Sequence, residues 1–245
     1  MEEQEYKKMD ALETEHWWFK AKRQFLAIVL DSQPPTGRPL KVLDVGCGTG
    51  AVMNFLRARG YDTHGVDMSE TALAYCRQKG LQVARSTADH IDFPDATFDI
   101  VFALDVLEHI DNAAEAVIEI KRILRPGGLL IATVPAHQFL FSYHDVALHH
   151  KRRYNKKTLR ALLSPHLTIE RLSWIHAAIL LPAIALRAVK KLVPGKNTLS
   201  DVGESSPLVN RVMGMWYVAE RAVFKMCGHL PWGLSLLVVG RKKNE

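Results

Sequence analysis

The sequence predicts an α/β fold, built on a doubly wound, mostly parallel seven-stranded sheet. Three observations carry that prediction. Apolar runs of strand length alternate with amphipathic helical runs from about residue 40 to residue 135. The first strand, in VLDVGCGTG (42–50), runs past Asp44 into three glycines on alternate positions, Gly46, Gly48 and Gly50. The length of 245 residues, 48% of them hydrophobic, suits one such domain with an elaboration.

The elements follow in order. Residues 10–30 read as one helix with HWWF inside it, ended by SQPPTGRP (32–39). KVLDVG is a short apolar strand, and TGAVMNFLRARG is a helix closed by Gly60. YDTHGVDM is a strand, after which Ser69 caps the helix SETALAYCRQKG, closed by Gly80. LQVARS and FDIVFALD are strands. AAEAVIEIKRIL is an amphipathic helix stopped by RPGG, and GLLIATVP is a fifth strand. Beyond Pro135 the rhythm changes to a polar, histidine-rich loop over about 136–154. Asn155 caps the helix NKKTLRALL, HLTIERLSW alternates as a strand, and GLSLLVVGRK is the last strand. More than fifty residues between these two strands read as helical, too many for a simple connection. They define an inserted apolar helical hairpin or cap, 176–229, in a core made of 1–175 and 230–245.

Composition narrows the setting. The opening MEEQEYKKMDALETE lacks the positive start and apolar run of a signal peptide. Three cysteines, Cys47, Cys76 and Cys227, are odd in number and far apart, which suits a reducing, cytoplasmic compartment. The formal net charge of +6 hides an asymmetry. Residues 1–150 carry 15 Lys/Arg and 21 Asp/Glu, whereas 151–245 carry 17 and 5. Nucleic acid, anionic lipid and an acidic substrate all remain open for the basic half.

In a doubly wound sheet, ligands bind beyond the carboxyl ends of the strands. A glycine turn there lets the backbone come close to a bound molecule. Asp44 can accept hydrogen bonds from a cationic group or a hydroxyl. The spacing is G-x-G-x-G, whereas dinucleotide sites use G-x-G-x-x-G with a helix N-terminus aimed at pyrophosphate. A second acid, Asp67, closes the next strand in THGVDMS and suits a ribose diol.

At this point the chain resembles the class I S-adenosylmethionine-dependent methyltransferases. VLDVGCGTG looks like their first motif and VDMS like their ribose-binding acid. FPDATFDIVFALDVLEHI looks like the segment through the fourth strand, and RPGGLLIATVP like the turn and fifth strand. The four segments stand in order over about residues 40–135. The resemblance implies the Rossmann-like methyltransferase fold and S-adenosylmethionine as cofactor, with S-adenosylhomocysteine as product. It implies that Gly46, Gly48 and Gly50, with Cys47 in the same loop, line the methionine and ribose portions. Asp44 would lie near the amino end, Asp67 on the ribose hydroxyls, Met68 on the adenine face and Leu104 by the methionine portion. Thr87 stands where the family often has an acid that reads the adenine amino group, so that task is assigned to Asp89 or to the backbone at Ala88. For Met68, plain core packing is the alternative.

EHWWFKAKRQFL (15–26) and SYHDVALHHKRRYNKKTL (142–159) look like pieces of a small-molecule and lipid-type subgroup, with H-x-W-F and S-x-H-D…R-R-Y segments. Successive helical residues sit about 100° apart, so Trp17, Trp18 and Phe19 face different ways. Trp18 is assigned to the cofactor pocket and Trp17 to the substrate side, with core packing of both as the alternative. His144, Asp145, His149 and His150 invite a zinc reading. Methyl transfer needs no metal, however, and four Lys/Arg follow in 151–156, so no metal is expected. His144, His149 and His109 are the candidate bases, against a solvated loop or a structural histidine. Tyr143, Asp145, Arg152, Arg153 and Tyr154 are assigned to the substrate. The arginines would clamp a phosphate or carboxylate, or else form a basic surface.

From Ile175 to Leu186 only His176 is polar. Twelve helical residues span about 18 Å, short of the roughly 30 Å of a bilayer core. Pro182 is expected to kink this helix. Arg187, Lys190, Lys191 and Lys196 follow, which fits an interfacial segment on anionic headgroups. A second helix starts at Ser206-Pro207 and ends at Gly228. Peripheral membrane contact through 175–193, a substrate-covering cap and a homodimer face stand as alternatives. The functional expectation is methyl transfer to a small-molecule or lipid-linked acceptor. An RNA acceptor and a non-catalytic cofactor-binding scaffold are the competing readings. Nucleic acid is not expected as a partner, because the basic residues are interleaved with a long apolar tract.

Overall fold

Apolar side chains on alternate strand positions divide between two cores, one on each face of a seven-stranded sheet. The computed structural model describes residues 3–34, 36–192 and 206–243. In chain order the elements are α1 (Glu3–Glu13), α2 (Trp17–Asp31), β1 (Lys41–Val45), α3 (Ala51–Ala58), β2 (Asp62–Asp67), α4 (Glu70–Gln78), β3 (Gln82–Arg85) and β4 (Phe98–Leu104). There follow α5 (Ala113–Ile123), β5 (Leu124–Pro135), α6 (Tyr143–Ala147), α7 (Lys156–Leu163), β6 (Leu167–Ile175), α8 (Leu180–Leu192), α9 (Pro207–Cys227) and β7 (Ser235–Lys242).

The strand order is β3-β2-β1-β4-β5-β7-β6. The first five strands are parallel, and β7 runs antiparallel to both β5 and β6. On one face Leu43, Val101, Leu130 and Val238 meet Val117 and Ile120 of α5 and Leu159 of α7. On the other, Val42, Ile100, Ile131 and Val239 meet Phe25 and Val29 of α2, Leu56 of α3, and Tyr217 and Phe224 of α9. Burial on both faces explains why the central strands read as nearly unbroken apolar runs.

Four local expectations are corrected. Residues 10–30 are not one helix, because the chain breaks after Glu13. His16 is extended, and its ring Nδ1 accepts from the Trp18 amide at 3.3 Å, which caps α2 and satisfies a first-turn donor. The stretch 136–154 is not all loop. Ser142 and Asp145 form a capping box that starts the short helix α6. The fifth strand extends back through RPGG to Leu124, with an irregularity opposite Phe98–Ile100. The apolar run after Trp174 starts no helix until Leu180. His176 takes a left-handed φ of 61° and is buried against the Tyr217 hydroxyl, so the chain turns there. Pro182 therefore lies in the first turn of α8, where no helical hydrogen bond is lost, rather than at a kink. The side chains of Lys190, Lys191 and Lys196 lie outside the described residues.

α9 packs on α2 through aromatic faces. Tyr217 stacks on Trp17 with centroids 5.8 Å apart, and Phe224 meets Phe25 edge-on at 5.1 Å. The carboxylate of Glu220 accepts the Ala177 and Ala178 amides at 3.0 and 3.3 Å, which ties α9 to the turn after β6. Phe25, fully buried at the centre of this face, gives a direct test. Phe25→Ala is expected to cost roughly 3–5 kcal/mol in urea unfolding. A loss below about 1 kcal/mol would contradict the packing.

Candidate active site

The order in which strands are added reverses between the parallel neighbours β1 and β4, and the crevice beyond their carboxyl ends is where a ligand enters such a fold. Gly46 and Gly48 there adopt φ of 68° and 54°, a region that other residues enter at a cost. A Cβ on Gly46 would sit 2.7 Å from Val106 Cγ2, and one on Gly48 would sit 2.7 Å from Met9 Cε. The Gly46 and Cys47 amides donate to Val66 O at 2.8 and 3.1 Å, and the Gly48 amide donates to Asp67 Oδ2 at 3.0 Å. These donors point back onto β2, so the loop is not a phosphate cradle. Asp67 Oδ1 accepts the Ser69 amide at 2.8 Å. Each carboxylate oxygen accepts twice, so Asp67 retains capacity for hydroxyls.

α1 lies over this loop. Met9 covers Gly48, Glu13 accepts from the buried Thr49 hydroxyl, and Lys79 Nζ bridges Asp10 at 2.5 Å and Thr49 O at 2.7 Å. Asp44, Asp67 and Glu13 are thereby buried near one another. Burial, then the charges of Asp67 and Glu13, push the Asp44 carboxyl up to about 8. Burial also raises Glu13. Buried carboxyls held above their ordinary range mark a crevice short of positive charge, and a cationic ligand relieves that shortage.

The end of β4 is organised around Lys22. Its ammonium contacts the Asp105 carboxylate, which also accepts the Thr133 hydroxyl at 2.9 Å. Burial opposes ionisation of Asp105, but Lys22 and the Thr133 bond hold its carboxyl below the usual range. Asp105 has φ of 56°, a left-handed conformation that turns the chain off the strand. Lys22 Nζ lies 5.9 Å from the Trp18 ring centre, and Trp18 stacks on His176 at 4.0 Å. His176 is pushed down to about 3 by burial and then by Lys22, so it is neutral and binds the Tyr217 hydroxyl through Nδ1 at 2.8 Å.

Beyond Asp105, Glu108 is fully buried, and both of its side-chain oxygens lack a hydrogen-bond partner. Burial, then Asp105, raises its carboxyl. The His109 and His150 rings meet edge-on, 4.8 Å apart, and burial, then His150, pushes His109 down to about 4. His144 is 6.3 Å from His150, ring to ring. His149 is exposed, with φ of 58°.

The other assigned residues fall as follows. Met68 is 68% exposed at the end of β2, Ala88 is half-buried, and Asp89 is exposed. Leu104 is half-buried against the α2 core. Trp17 lines a groove between α2 and α9 with Asn210, Gly214 and Tyr217. Tyr143 is exposed, and Arg152 donates to Asp111 O at 2.9 Å. Three assigned substrate residues are corrected, because the fold itself engages them. Arg153 donates to Asp145 at 2.7 Å and to Ala136 O at 3.0 Å, all buried. The Tyr154 hydroxyl donates to Leu107 O at 3.0 Å. They brace the loop rather than face an acceptor. Sequence reasoning missed Glu13, Lys22 and Asp105. Lys22 had a signal: it falls on the helical stripe of Trp18 and Phe25, at i, i+4 and i+7.

Residues 43–132 match a family model described as a methyltransferase domain. The chain carries a class I S-adenosylmethionine-dependent methyltransferase domain. It is 33% identical over 98 residues to a ubiquinone biosynthesis O-methyltransferase of Rickettsia conorii, covering 38% of this chain and 34% of that one. It is 29% identical over 156 residues to a protein of Mycobacterium tuberculosis named as a probable S-adenosylmethionine-dependent methyltransferase, covering 62% and 56%. The matches thus span between a third and somewhat over half of these relatives' lengths. Among solved structures, a methyltransferase of Haloferax volcanii in complex with the Trm112 activator aligns with a TM-score of 0.63. That alignment covers 99% of this chain and 95% of that one at 18% identity, a likeness of fold.

Two outcomes follow for the methyltransferase domain. Asp67→Ala should keep the fold and lose at least about tenfold in S-adenosylmethionine affinity by calorimetry, roughly 1.4 kcal/mol. Unchanged affinity would contradict the pocket. Asp44 carries a native carboxyl at about 8 against an ordinary 3.8. Unfolding releases its proton between those values, so this group's contribution falls as pH rises through that window. Asp44→Asn should therefore melt progressively higher than wild type from pH 5 to pH 8 in the ligand-free protein. A constant difference would contradict the burial.

Proposed function

We propose that this protein transfers a methyl group from S-adenosylmethionine to a small-molecule acceptor, and that the acceptor is lipid-linked. The observation that carries the cofactor is the buried, acid-rich crevice around Asp44, Asp67 and Glu13. A sulfonium with an ammonium group fits there, whereas a pyrophosphate would be repelled. Asp67 would hold the ribose hydroxyls, Asp44 the amino end, and the bare backbone of Gly46 and Gly48 would admit close approach. The cofactor supplies a methyl already activated on sulfur. The protein's own task is to orient the acceptor and exclude water. Glu108, His109 and His150, packed beyond Asp105, offer the polar groups for that orientation. His144 and His149 remain the proposed bases.

The lipid reading rests on α9. Leu208, Val212, Met215, Trp216, Val223 and Met226 are all exposed along it. Arg211 and Lys225 lie along one edge of this face, and the helix's one acid, Glu220, is buried. An apolar face edged only by cations suits the surface of an anionic bilayer. No helix among the described residues is long and apolar enough to cross a membrane. We therefore assign 176–229 as a cap inserted in the core that holds the domain on lipid.

Cofactor with a radiolabelled methyl, incubated with the protein and an extract of its source cells, should place label in the organic phase. Label confined to nuclease-sensitive material would instead identify an RNA acceptor and overturn the reading. The protein should sediment with anionic vesicles and not with neutral ones, and Trp216→Asp should release it. A wild-type chain that never sediments would remove the lipid surface while leaving the cofactor reading intact.

A further inference from the structure

We propose that Glu108, His109 and His150 form a binding site for a divalent first-row metal ion. Their ligand atoms all lie within 4.8 Å of one another. Two imidazoles and one carboxylate are the donor set of an open metal site with positions left for other ligands. Glu108 gives the independent observation. It is fully buried, and both its oxygens lack a protein partner, which a folded chain rarely tolerates without something to satisfy them.

The surroundings are built to present these atoms. The His150 Nδ1 lies 2.9 Å from Asp145 Oδ1, which fixes the ring and leaves Nε2 as the nitrogen open to a ligand. Asp145 is itself fixed by Arg153 Nε at 2.7 Å and by the Ser142 amide at 2.9 Å. This carboxylate–histidine arrangement is the usual outer support of a metal-ligating imidazole. The Lys151 amide donates to Glu108 O at 2.8 Å, which ties the histidine loop to the segment after β4. His109 is exposed, and its ring meets that of His150 edge-on at 4.8 Å. The corrected role of Asp145 and Arg153 thus acquires a purpose. They are positioning residues for His150.

On the reading of the chain as a methyltransferase, the ion would take an acceptor hydroxyl in an open position. The O–H bond would break with its electron pair staying on oxygen and its proton passing to water, at lower pH than for the free hydroxyl. Glu108 and His109 lie within the matched segment 43–132, whereas His150 and Asp145 lie beyond it.

The test uses cobalt(II) as the probe, with the full chain and neither cofactor nor acceptor present. Its outcome is therefore independent of any methyl transfer. Titration should show visible absorption saturating at one ion per chain, with a rise in melting temperature. Glu108→Gln, which keeps shape, and His109→Ala, which alters an exposed side chain, should each weaken binding by more than about tenfold. His229→Ala, at an exposed site elsewhere, should leave it unchanged. Absence of saturable binding in the wild type, or equal binding in the Glu108 and His109 variants, would overturn the proposal. Should Glu108→Gln fail to fold, His109→Ala decides alone.

Discussion

The burial of carboxylates at the end of β1 and β2 is the constraint around which the crevice is arranged. Removing Asp44, Asp67 and Glu13 from water is unfavourable unless each charge is offset. The protein offsets Asp67 with backbone amides and Glu13 with the Thr49 hydroxyl. Asp44 retains its proton up to about 8. A crevice in this state favours a ligand that brings positive charge. The glycines keep its walls low, and α1 closes it from above through Met9. A loop of similar composition with free amides would prefer phosphate. The difference lies in where the N–H groups point, back to Val66 O and Asp67.

One helix transmits this arrangement to the rest of the molecule. α2 carries Lys22 to Asp105 at the end of β4, Trp18 to His176, and Trp17 to Tyr217 of α9. The end of β4, the turn after β6 and the inserted helix α9 are therefore joined through the first turns of α2. The same helix buries Phe25, Leu26 and Val29 on the sheet. The inserted helix α9 and the end of β4 both rest on this one amphipathic segment. The loop after β5 depends on a second brace, in which Asp145 and Arg153 hold the segment that carries His150.

Much of this was legible before the fold was known. Alternating apolar runs located all seven strands, and the Ser69, Asn155 and Ser206 caps located three helix starts. The glycine loop, Asp44 and Asp67 fall at the strand ends where their spacing placed them. The break at His16 was hidden because a histidine cap leaves no compositional mark and the apolar period resumes at once. Asp145, Arg153 and Tyr154 looked like ligands for a substrate because polar residues in a loop read as exposed. They are buried because each finds a partner distant in sequence or across a turn. Glu13 and Asp105 left no signal, since pairing with Thr49 and Lys22 arises only when separate elements meet.

The most direct test of this account is calorimetry of S-adenosylmethionine binding at pH 7 in buffers that differ in ionisation enthalpy. A cation seated beside a carboxyl that titrates at about 8 must expel its proton. The account predicts tight binding with net proton release, and the release should vanish in Asp44→Asn. Binding with no buffer dependence, or proton release that persists in Asp44→Asn, would contradict it.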